Sequence, residues 1–202
     1  MQPTRARFTL LRFAFALSAV TYLDRVCIAT AATSIREELH LNAVQMGWIF
    51  SAFTLAYAIF EIPSGWLGDT IGPRKVLTRI VLWWSAFTMA TGAAWNYISL
   101  LAFRFLFGAG EAGAFPNASR SFSQWFPTAE RGRAHGIIFM GTRLGGATGA
   151  AAGYSADCRR RMARELLDFR QSWGVLGSLL VAMVPGRSFE ASFSERRRAS
   201  GH

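Results

Sequence analysis

Apolar residues run along this chain in blocks, separated by short charged or glycine-rich stretches. The blocks fall at about 10–33, 46–67, 76–95, 99–122 and 134–153. A helix of about 20 apolar residues is the length that crosses a bilayer. The pattern therefore predicts an all-α integral membrane protein with five spanning helices over residues 1–153. A polar loop, Ser34-Ile-Arg-Glu-Glu-Leu-His-Leu-Asn, separates the first two spans, and Ser123–Arg133 separates the last two. The link at 96–98 is very short. Between Met46–Leu67, with Glu61 as its one charge, and the uncharged Ile80–Trp95 lies Gly65-Trp-Leu-Gly-Asp-Thr-Ile-Gly-Pro-Arg-Lys75. So short and glycine-rich a stretch reads as a tight loop that forces an antiparallel helix hairpin. Gly65 and Gly72 are placed to turn the backbone, and Pro73 to restart the helix. Asp69, Arg74 and Lys75 cannot stay in lipid, so they mark a membrane face.

Composition agrees. The chain has 202 residues, 51% of them hydrophobic, and a net charge of +10. A basic chain invites a nucleic-acid reading, but the basic residues sit between apolar spans, as in membrane proteins, and no nucleic-acid partner is expected. Arg5, Arg7, Arg12, Arg74, Lys75, Arg79, Arg120, Arg131 and Arg133 fall on one side of alternating helices, and only Arg36 on the other. That asymmetry puts the N-terminus in the cytoplasm. Arginines ahead of an apolar run could also start a signal peptide, but Asp24 and Arg25 interrupt the run, which predicts an uncleaved first helix. Cys27 and Cys158 make neither a disulfide framework nor a metal site. No nucleophile–base set or metal cluster is present, so neither an enzyme nor a cofactor is expected. Gly141, Gly145, Gly149 and Gly153 recur every four residues, a helix-packing signal.

The candidate chemistry lies inside the spans. Asp24 and Arg25 fall in the first, Glu61 in the second, Arg104 and Glu111 in the fourth and Arg143 in the fifth. Each charge at a bilayer centre costs roughly 2.5–3.5 kcal/mol on insertion scales. Arg104 and Glu111 lie two turns apart on one face, with Gly108 between them leaving that face open; Thr54, Tyr57, Ala58 and Glu61 share a face of the second helix. Two readings stand. Asp24 with Arg104 and Arg25 with Glu111 could be ion pairs that hold helices together. Alternatively the arginines grip an anion at two points and the carboxylates carry protons, because burial penalises their charged form while a nearby arginine favours it.

The string Gly65, Leu67, Gly68, Asp69, Gly72, Arg74 resembles the loop between helices two and three of the major facilitator superfamily, G-x-L-(G/A)-D-x-x-G-x-(R/K). In that family it is a cytoplasmic gate, which the resemblance assigns here to Gly65, Asp69, Gly72 and Arg74. Tyr22-Leu-Asp-Arg25, Ser51-Ala-Phe…Tyr57, Ile62-Pro-Ser-Gly-Trp-Leu and Arg104-Phe-Leu-Phe-Gly-Ala-Gly-Glu-Ala-Gly-Ala-Phe-Pro116 are similar to its anion:cation symporters, permeases for hexonates, hexuronates, glucarate and phthalate-like acids. The resemblance covers about residues 10–150. It implies proton coupling by Asp24 and Glu111 and substrate binding by Tyr22, Arg25, Tyr57 and Arg104. The implied partners are a small organic anion, protons and the lipid bilayer of a bacterial inner membrane. Glu61 stands where glutamine is common, and Arg143 has no assignment.

Family members have twelve spans, and here the resemblance stops near Gly153. The tail, 154–202, carries nine arginines and five acids and one apolar run, Trp173–Pro185, too short to span. The expectation is the first five helices of an N-terminal bundle followed by a basic tail that is not family sequence: a truncated, inactive transporter, prone to self-association through unpaired polar faces. An amphipathic tail on the membrane surface is the other account of 154–202. The rival function is a non-transporting membrane protein that binds or assembles partners.

Overall fold

A computed structural model describes residues 5–153; the tail from 154 on lies outside the described residues, as do the expectations that fall on it. Seven helices follow in order: α1 Arg5–Thr30, α2 Ala32–Glu38, α3 Ala43–Ile71, α4 Pro73–Gly92, α5 Tyr97–Glu111, α6 Ala114–Trp125 and α7 Thr128–Gly153. No strand occurs among the described residues. The five long segments of the sequence pattern are α1, α3, α4, α5 with α6, and α7; α2 is one extra turn or two in the first polar loop. Arg7–Thr30, Ala43–Ile71 and Tyr97–Trp125 are long and apolar enough to cross a membrane. Helices α4 and α7 match that length, with 20 and 26 residues, but carry more charge at their first turns.

Local chemistry sets the boundaries. Asn42 starts α3 with a capping box: its Oδ1 accepts from Gln45 N at 2.8 Å, and its own N–H donates to Gln45 Oε1 at 2.9 Å. Asn96 and Ser99 do the same for α5, with Asn96 Oδ1 accepting from Ser99 N at 2.8 Å. The glycine-rich stretch corrects one expectation. Gly65 is no turn residue, because α3 runs helically through it to Ile71. One residue, Gly72, makes the whole connection to α4, at a φ of 92°, where a Cβ would be strained. Pro73 then occupies the first position of α4, where its missing N–H costs nothing. Tertiary packing overrides glycine's weak helix propensity here: Gly65 lies against Pro116, and Gly68 leaves room for the Asn117 side chain.

A second correction concerns the fourth span. It is no continuous helix over 99–122 but breaks at Ala112 and Gly113. Pro116 accounts for this. In a continuous helix its ring would clash with the carbonyl of Ala112, four residues back. Ala112 instead turns to ψ 135°, and Gly113 takes φ 91°.

Helices α1 and α7 pack backbone to backbone. A Cβ at Gly145 would collide with the Ala19 carbonyl and one at Gly141 with the Phe15 carbonyl, while Gly149 faces Leu23 and Val26. Ser18 adds a cross-helix bond, its Oγ 3.0 Å from the Ile138 carbonyl it donates to. Three apolar clusters fill the bundle. One at the α2 end includes Leu41, Met46, Ile49 and Leu100. One at the opposite end includes Phe122, Phe126, Ala134 and Ile138. The largest lies between them, with Leu17, Phe53, Ile80, Trp84 and Phe107 joining α1, α3, α4 and α5.

Candidate functional site

Beside that middle cluster, α1, α3 and α5 bring their polar residues together. Arg25 of α1 donates from Nε (3.2 Å) and Nη2 (2.6 Å) to a single oxygen, Oε1 of Glu111 on α5. Glu111 is 1% exposed as a side chain and Arg25 28%. The other carboxylate oxygen, Oε2, is buried with no hydrogen-bond partner. The Arg25–Glu111 pairing open in the sequence forms. Asp24 lies close enough to act electrostatically on Arg104.

Aromatic faces surround the arginines. The Arg25 guanidinium carbon lies 5.2 Å from the Tyr22 ring centroid, 5.1 Å from Phe53 and 4.9 Å from Tyr57. Spacing explains the arrangement: Tyr22 and Arg25 are one turn apart on α1, Phe53 and Tyr57 one turn apart on α3. Arg104, only 4% exposed, lies 4.8 Å from both Phe53 and Phe107. Its Nε is buried without a partner. The expectation of an open face at Gly108 is corrected: the α3 backbone fills it, and a Cβ there would strike the Phe53 carbonyl. Glu61, partly buried one turn beyond Tyr57, acts on that tyrosine electrostatically. Arg143 is exposed on α7. The cluster thus gathers Tyr22, Arg25, Tyr57, Arg104 and Glu111, with Asp24 and Glu61 at its margin. It holds two cations, a carboxylate with one idle oxygen and an idle guanidinium N–H, a set able to bind an anion and hold a proton.

The second constellation sits at the α3–α4 link. Asp69, at the end of α3, pairs with Arg120 of α6 at 2.5 Å. Behind it, Asn117 is 1% exposed and its Nδ2 donates to the Ser64 carbonyl (3.1 Å) and the Gly113 carbonyl (2.8 Å). This amide ties α3 to the break between α5 and α6. Gly65 and Gly68 line the same seam, Gly72 makes the link, and Arg74 occupies the second position of α4. At the same end Arg7 pairs with Glu130 at 3.1 Å, joining α1 to α7. Arg120 and Asn117 escaped the sequence reading of this site. Asn117 carried a signal, as an amide inside an apolar run; Phe53 and Phe107, apolar in apolar runs, carried none.

A bundle of apolar helices, three of them long enough to cross a membrane, with charges buried inside it has the architecture of a polytopic membrane protein. The sequence model of the Major Facilitator Superfamily matches residues 14–189, and the chain belongs to that family. The match continues past Gly153, where the motif resemblance ends. Over 128 residues the chain is 48% identical to the "Probable sulfoacetate transporter SauU" of Cupriavidus necator, covering 63% of this chain and 30% of that protein. Over 138 residues it is 44% identical to the "Probable galactarate/D-glucarate transporter GarP" of Escherichia coli, covering 65% of this chain and 31% of that one. Among solved structures, a bacterial homologue of the human lysosomal transporter Spinster, inward-facing and unoccupied, superposes with a TM-score of 0.69 at 28% identity, over 75% of this chain and 32% of that one. The chain spans about a third of the length of these relatives, which are transporters and not enzymes.

Proposed function

We propose that this chain serves the transport of a small organic anion, a sugar acid or another dicarboxylic or aromatic acid, by proton symport across a bacterial inner membrane. Arg25 and Arg104 bind the anion, with Tyr22 and Tyr57 beside them, and Glu111 with Asp24 carries the proton. One observation carries the reading: Arg25 directs two of its five N–H donors to one oxygen of Glu111, while Glu111 Oε2 and Arg104 Nε stand buried and idle. A carboxylate arriving between the arginines offers Arg104 a partner and competes for Arg25. Once Arg25 turns to the anion, Glu111 is a buried charge without compensation, and taking a proton relieves that cost. Anion binding and proton uptake are then one event. The substrates in the relatives' names, sulfoacetate and galactarate or D-glucarate, are small organic anions.

The N-terminus lies in the cytoplasm in this reading, and Gly65, Asp69, Gly72 and Arg74 form the cytoplasmic gate. The test is D-glucarate and sulfoacetate binding to the protein in lipid nanodiscs, with proton uptake followed by a pH dye in weak buffer. Wild type should bind an anion and take up protons with it. Arg104→Ala should not bind. Glu111→Gln should bind with fewer protons taken up, because a neutral amide cannot receive one. Binding with no proton uptake in wild type would favour the rival, a membrane protein that binds without transporting.

A further inference from the structure

We infer that Phe53 is a positioning residue that sets the spacing of Arg25 and Arg104 by offering one aromatic ring to both guanidinium groups. The ring centroid lies 5.1 Å from the Arg25 guanidinium carbon and 4.8 Å from that of Arg104. Among the described residues no other ring lies against both: Tyr22 and Tyr57 face Arg25, and Phe107 faces Arg104. Two cations brought this close in a low-dielectric interior repel one another. An aromatic face carries partial negative charge, so a single ring lying against both attracts both and holds each at its own contact distance.

The ring is itself held. Phe53 is 8% exposed, and Phe107 and Tyr57 lie 5.7 and 6.1 Å from it, centroid to centroid. Its backbone is seated against α5 at Gly108, between Arg104 and Glu111, where any Cβ would strike the Phe53 carbonyl. The α3–α5 contact therefore fixes the ring's root, and the neighbouring rings limit its tilt. Arg104 depends on this most, because its Nε has no hydrogen-bond partner and its guanidinium lies against two aromatic faces. Phe53 thus keeps an anion site with two separated cations ready before any anion arrives. The functional consequence rests on the anion-binding reading above; the geometric claim does not.

The experiment is phenylglyoxal modification of the protein in lipid nanodiscs, with the rate at each arginine read by mass spectrometry. Phe53→Leu and Phe53→Met keep an apolar side chain without a ring, Phe53→Tyr keeps the ring, and Phe122→Leu loosens a fully buried position in the cluster at the far end. Arg25 and Arg104 should react roughly three- to thirty-fold faster in the two ringless variants, the factor that a cation–π contact corresponds to. Phe53→Tyr and Phe122→Leu should react as wild type does. Unchanged rates in Phe53→Leu and Phe53→Met, or an equal rise in Phe122→Leu, would overturn the inference. Adding D-glucarate separates the two claims. If it fails to protect wild-type Arg25 and Arg104 while the ringless variants still react faster, the anion reading falls and the positioning role stands.

Discussion

Arg25 and Glu111 form the pair on which the middle of the bundle depends. Removing one partner leaves the other charged and buried, which typically costs about 3–5 kcal/mol, whereas replacing both by apolar groups is often close to neutral. Glu111→Met is therefore expected to cost about 3 kcal/mol, the lower end, because Arg25 is only partly buried. The double change Arg25→Met with Glu111→Met should recover most of that loss. Reversible unfolding of wild type, Arg25→Met, Glu111→Met and the double variant in lipid or detergent measures the coupling, and additive losses would show that the two side chains act separately. These charges were legible in the sequence because an ionisable residue in an apolar run has to be explained. Phe53 was not legible: a phenylalanine among apolar residues says nothing of the guanidinium groups it lies against until three helices are placed together.

Among the elements, the glycines show where spacing informs and where it misleads. Gly132, Gly136, Gly141, Gly145 and Gly149 recur along α7 at nearly constant intervals. The last three meet α1, yet a Cβ at Gly132 or Gly136 would meet nothing within 4 Å. Gly145→Ala is thus expected to push α1 from α7 and destabilise by about 1–3 kcal/mol, since a backbone carbonyl cannot move aside as a side-chain tip can. Gly136→Ala should be neutral or stabilising by up to about 1 kcal/mol, from helix propensity alone. Thermal unfolding of the two variants side by side decides it, and equal losses would contradict the packing. The same limit applied to the α3–α4 link. Glycine, aspartate and proline in eleven residues read as a loop, but the seam with Pro116 and Asn117 keeps all but Gly72 helical. The break at Gly113 was within reach, because Pro116 forbids a continuous helix through Ala112. The apolar run around it hid that signal.

At the scale of the whole molecule, the two ends differ in charge. Asp69 with Arg120 and Arg7 with Glu130 tie helices at one end, while the α2 end carries Arg36 alone among the described arginines of the loops. Both ion pairs are partly exposed, so each contributes no more than about 1 kcal/mol; their side of the membrane matters more than their strength. The basic excess predicts that this end faces the cytoplasm. Cysteines placed at 40, 70 and 128 should react with an impermeant reagent outside intact cells only at 40; labelling at 70 would reverse the orientation. The single residue between α3 and α4 has a mechanical consequence. Gly72 alone offers almost no slack in length, so the fifty residues from Ala43 to Gly92 form two helices tied end to end. Under tension from one end, neither arm can yield without loading the other. The pair would leave a bilayer in one rupture, releasing about 170 Å of chain at about 3.4 Å per residue.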